Sequence, residues 1–187
     1  MTRVCSILAT VLLFGCGDKE GGGEDSGTDE TIDVSEMCVP PDASGRLQAT
    51  LSGAIEASLD WGDADMSCGG GVTGPTSAAF SFESDLGDER LIVLITVEGY
   101  DGESAITDAV GRVDLTGSAA GDSAAYTGSE CLVSLTAPTE VGEYNGVFMF
   151  ALDGTVECST PADAMVGEGS VTITDLSFRG VLVKAGS

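Results

Sequence analysis

Apolar and polar residues alternate with period two along most of the chain beyond residue 45. In RLQATLSG (46–53), Leu47, Ala49 and Leu51 fall on one face; in AIEASLDW (54–61), Ile55, Ala57, Leu59 and Trp61 do. AAFSFES (78–84) pairs Phe80 with Phe82. Such alternation marks a strand with one buried and one wet face. ERLIVLITVEG (89–99) is too apolar for a wet face and predicts a central strand. EYNGVFMFALDG (143–154) carries apolar side chains on both parities, so both its faces should be covered, and TVEC pairs beyond it. GRVDLTG (111–117) and AAYTGSECLVSLT (124–136) add two more strands. GSVTITDLSFRGVLVKA (169–185) alternates up to Asp175 and changes parity there, which predicts a bulge or turn. GDADMSCGGGVTGPTS (62–77) reads as a loop, while ESAITDAVGR (103–112) and TPADAMVGEG (160–169) read as short helical turns.

Eight to ten short strands with turn signals every ten or so residues predict an all-β domain, an antiparallel β-sandwich, with a β-barrel as the alternative. Composition agrees. There are 27 glycines in 187 residues, and the 42% hydrophobic content includes only 5% aromatic residues, a mixture that favours strands and turns.

The N-terminus follows a different pattern. Met1-Thr2-Arg3 is a short basic start, and Val4 to Phe14 is apolar apart from Ser6 and Thr10. Eleven helical residues span about 16 Å, short of a hydrocarbon core of about 30 Å, so the stretch has the length of a signal-peptide apolar region. It ends in Leu13-Phe14-Gly15-Cys16. This sequence resembles the lipobox of bacterial lipoproteins: an aliphatic residue, a tolerant position, a small residue, then cysteine. The resemblance implies cleavage between Gly15 and Cys16 and a lipid on the Cys16 thiol. Residue 17 is Gly rather than Asp, and by the same resemblance that favours the outer membrane. Acyl chains contribute about 0.8 kcal/mol per buried methylene, so a membrane is an expected partner without a spanning segment.

Residues 17–37 carry eight acids, one base (Lys19) and five glycines. Low hydrophobicity with charge of one sign predicts an unfolded spacer. The expected organisation is a signal peptide at 1–15, lipidated Cys16 with an acidic tether at 16–37, and a β-sandwich domain at 38–187.

Cys5 belongs to the signal and Cys16 to the lipid, which leaves Cys38, Cys68, Cys131 and Cys158. An even number in an exported chain predicts two disulfides. The preferred pairing is Cys38 with Cys68 and Cys131 with Cys158, the latter within one local meander. Zinc is disfavoured, because no two cysteines have C-x-x-C spacing and the chain has no histidine.

Charge and residue types narrow the chemistry further. The net charge of −24, from 31 acids against 7 bases, repels phosphate backbones and argues against nucleic acid as a partner. Without histidine there is no Ser-His-Asp or Cys-His catalysis. Asp60, Asp63 and Asp65 are weak calcium candidates: hard oxygen donors in one segment, but without the spacing of a calcium loop. Asp101, Glu103 and Asp108 are weaker still. Trp61 offers a stacking surface if exposed and core if buried, and its parity with Leu59 favours core. Gly69, Gly70 and Gly71 lack the strand-to-helix context of a phosphate loop.

The expectation is a lipid-anchored envelope protein at the outer membrane, facing the periplasm or the surface. It displays its domain as a binding or structural module for a protein or glycan ligand. No cofactor, resident metal or enzymatic activity is expected. A carbohydrate-active enzyme with a carboxylate pair and a calcium-dependent adhesin are the alternatives.

Overall fold

A computed structural model describes residues 45–74, 76–86, 89–119, 122–144 and 147–185. The expected signal peptide, the Gly15–Cys16 cleavage site, the acidic tether and Cys38 lie outside the described residues.

Eleven strands make up the described chain: β1 (Arg46–Gly53), β2 (Ala57–Gly62), β3 (Ser67–Gly74), β4 (Ser77–Leu86), β5 (Glu89–Glu98), β6 (Ile106–Ala119), β7 (Asp122–Leu135), β8 (Thr139–Tyr144), β9 (Val147–Cys158), β10 (Ala162–Val166) and β11 (Ser170–Ala185). They form one mixed sheet in the order β2-β1-β11-β3-β4-β5-β6-β7-β9-β8. β9 also pairs along β11, and β10 pairs with both β7 and β11, so the sheet folds back over itself around one core. All pairings are antiparallel except that of β3 with β11, a single parallel residue pair, Val183 with Gly71. The sheet is not a closed barrel, the alternative that the sequence left open.

The expected alternation sets the core. Leu47, Ala49 and Leu51 of β1, Leu59 and Trp61 of β2, and Phe80 and Phe82 of β4 are all buried. β5 lies between β4 and β6 with Leu91, Val93, Ile95 and Val97 at 2% exposure or less; its opposite face is half-buried, as its apolar composition requires. In β9 the two-parity apolar run Val147–Phe150 is half-buried, and full burial begins at Ala151 and Leu152.

Several expectations are corrected. Residues 67–74 form β3 rather than a loop. Gly70 faces the core where a Cβ would run into the backbone carbonyl of Val181 and stand 3.0 Å from the Phe80 ring, so glycine lets β3 approach β11 and hides the strand from a hydrophobicity pattern. Residues 106–112 and 162–166 are strands of β6 and β10, not helical turns, because each finds an antiparallel partner in β7. The stretch 143–154, expected as one strand, is divided: Glu143 and Tyr144 end β8, which pairs antiparallel with β9 from Val147, and TVEC continues β9 rather than pairing with it.

The break at Asp175 is a bulge. Gln48 pairs with Ser177 and Thr50 with Thr174, so Ala49 alone stands opposite two residues of β11, and Asp175 has φ of 54°. β6 repeats the device at Asp108, φ 52°, between the pairs Ile106–Leu135 and Ala109–Val133.

Of the four cysteines expected to form disulfides, Cys68, Cys131 and Cys158 are described, and all three are disulfide-bonded. Cys131 and Cys158 are directly opposite across β7 and β9 and are bonded, as the meander reading required. Cys68 is 4% exposed and sits opposite Phe82; its expected partner, Cys38, falls outside the described residues.

Candidate functional site

At the end of the sheet where β1 starts and β2 stops, a belt of residues crosses five strands. Gly62 pairs with Arg46, Arg46 with Arg179, and Arg179 with Asp153. Thr136 just beyond β7 then bonds both ways with Asp153: its amide donates to the Asp153 carbonyl, and its Oγ1 accepts the Asp153 amide, each at 2.9 Å. With strands spaced about 4.8 Å apart, five of them span about 19 Å. Arg46 and Gln48 alternate with buried Leu47 and Ala49, so the belt lies on the face turned away from the core.

A groove of about 870 Å³ follows this belt. Its polar lining includes Arg46, Gln48, Asp60, Ser134, Thr155, Ser177 and Arg179. Asp60 accepts from Arg46 Nη2 at 3.3 Å and from Gln48 Nε2 at 3.0 Å. Asp153 Oδ1 stands 3.9 Å from Arg179 Nη1. These pairs are largely exposed and contribute little to stability; their effect is to fix four charges along one furrow. The Ser134 hydroxyl accepts the Asp108 amide at 3.1 Å, which ties the start of β6 to the far wall.

The weak calcium candidates lie close in sequence but do not converge. Asp60 faces Arg46 and Gln48, Asp63 accepts the Gly45 amide, and Asp65 accepts the Gly62 amide at 3.2 Å. Asp101 accepts the Glu103 amide at 2.9 Å, while Asp108 sits in the β6 bulge. Among the described residues no group of three acids or cysteines gathers as metal ligands would. Trp61 borders the groove, yet at 5% exposure its ring belongs to the core. Also among the described residues, no helix is long and apolar enough to cross a membrane.

Arg46, Gln48, Arg179 and Asp153 were not singled out by the sequence. Each has outward parity, which could be read in advance. Their convergence depends on the register of β11 between β1 and β9, and residue order does not encode that directly.

Comparison of the chain with family models, with curated proteins and with solved structures gives no match.

Proposed function

We propose that the chain is a lipid-anchored protein of the bacterial envelope that displays its β-domain as a binding module, with the belt groove as its binding face. The observation that carries this reading is the groove itself: a furrow across the strands of the belt, lined by hydroxyls, an amide and two ion pairs. Such groups match the hydroxyls of a glycan or the polar edges of a peptide. The lipobox-like LFGC supports an envelope location, and the acidic run over 17–37 reads as a spacer between lipid and domain.

Retention of the full chain on immobilised envelope polysaccharide tests the binding face. Replacing Thr155 by Trp fills the furrow from an exposed position and is expected to abolish retention. Equal retention of both proteins would move the binding site elsewhere.

A carbohydrate-active enzyme is the second reading, favoured by the presence of Asp60 and Asp153 in one groove. It requires release of reducing sugar that Asp60→Asn and Asp153→Asn each abolish. Sugar binding without release supports the module.

A further inference from the structure

Arg46 and Arg179 are direct register partners on one face of an antiparallel pair. Side chains so placed have Cβ atoms about 4.5–5.5 Å apart, and like charges there repel. Bases are scarce in this chain, seven against 31 acids, so two of them face to face need a reason. Arg90 and Arg112 show the ordinary arrangement, each beside an acid, Glu83 and Asp114 respectively. The belt pair differs. Arg46 shares its acid with Gln48, and Arg179 reaches Asp153 only at 3.9 Å. The Nε of Arg179 is shut off from solvent and has no hydrogen-bond acceptor among the described residues. A charged donor without an acceptor is costly, and both arginines line the groove.

We propose that Arg46 and Arg179 form an anion subsite for one carboxylate, sulfate or phosphate carried by a sugar of an otherwise uncharged glycan. The inference rests on the groove being the binding face and names the class of ligand it takes. Two guanidinium groups converging on one oxyanion supply charge-assisted, geometrically specific hydrogen bonds. Asp60 and Asp153 close the row on either side, so there is room for a single negative charge. The net charge of −24 repels a polyanion at long range, which is why the remainder of the ligand is neutral. Ser134, Thr155 and Ser177 beside the pair offer partners for sugar hydroxyls.

The test uses the full chain in detergent micelles, followed by amide and arginine Nε resonances. The probes are the methyl glycosides of glucuronate, glucose sulfate and glucose phosphate, with methyl glucoside as the neutral arm and inorganic sulfate alone as the free-anion arm. At least one acidic glycoside should bind about tenfold tighter than methyl glucoside, the strength of one charge-assisted bond, and tighter than inorganic sulfate. Arg46→Gln and Arg179→Gln should each remove that preference. Arg112→Gln, on β6 outside the groove, should keep it. Groove resonances that shift equally with neutral and acidic glycosides would overturn the anion subsite and leave the groove as the binding face. No groove shift with any probe would overturn both. Loss of preference in Arg112→Gln as well would reduce the effect to general charge and overturn the subsite.

Discussion

The rings of Phe80 and Phe178 stand 5.0 Å apart at 48°, joining β4 to β11 through the core. Phe82 adds an edge-on contact to the same Phe178 ring at 5.6 Å. Opposite that ring lies Gly154 of β9, where an added Cβ would overlap the Phe178 ring and crowd Leu135. Phe178 thus fills the space that glycine vacates. Phe178→Ala is expected to lower unfolding free energy by about 3–5 kcal/mol, and Gly154→Ala by about 1–3 kcal/mol through overpacking. In the double variant the new methyl enters the space the ring leaves, so the two losses should fall short of additive. Urea denaturation of the four proteins measures this; strict additivity would mean that the two residues do not share the space.

Tyr100 is 1% exposed, and its hydroxyl has no hydrogen-bond partner among the described residues. Burial, reinforced by the nearby Asp101 charge, raises its pKa above the ordinary 10.0. The folded state therefore holds its proton more tightly than the unfolded chain does. Stability from this group is complete below pH 10 and declines as pH rises through the window between the unfolded and the folded pKa. Tyr100→Phe removes a buried polar group that lacks a partner and is expected to raise stability by about 1 kcal/mol at neutral pH. It should also flatten the alkaline decline. Thermal melts from pH 7 to pH 11 measure both; destabilisation at neutral pH would show that the hydroxyl has a partner in solution.

Cys131 and Cys158 tie β7 to β9 and stand 27 positions apart in sequence. A loop of that length corresponds to about 3–4 kcal/mol in the chain-entropy account. The double Ala variant should lose about that much, and dithiothreitol should lower the melting point of the parent by more than that of the variant, which keeps the Cys68 disulfide. A fall of the same size in both would assign the reductant's effect to another bond.

At Asp175 the backbone is left-handed inside a bulge. A β-branched side chain is poorly tolerated there, and glycine is at ease. Asp175→Val should cost about 1–2 kcal/mol, while Asp175→Gly should be neutral or slightly stabilising. Chemical denaturation of the pair checks the order, and the reverse order would remove the bulge from solution.

These positions also show what the sequence reveals. Leu47, Leu59, Phe80 and Val93 announce their faces because period two survives wherever apolar side chains are large enough to see. The parity change at Asp175 announces its bulge for the same reason. β3 stays hidden because its inward position is Gly70, chosen for the close approach of Val181, and absence of a side chain resembles a loop. β10 is hidden because Met165 and Val166 are exposed, so no alternation marks it. For the groove, parity places Arg46 and Arg179 outward but not beside one another. Their meeting is a property of long-range register, set by which strand β11 joins on each edge.

The central claim is that Cys16 links export, lipid and display, and mass spectrometry of the mature N-terminal peptide tests it most directly. Trypsin cutting after Lys19 should release Cys16-Gly17-Asp18-Lys19 carrying a diacylglyceryl group on the thiol. Cys16→Ala should leave the chain uncleaved before residue 16 and without the lipid. A mature chain that begins at another residue, or an unmodified Cys16 thiol, would contradict the account.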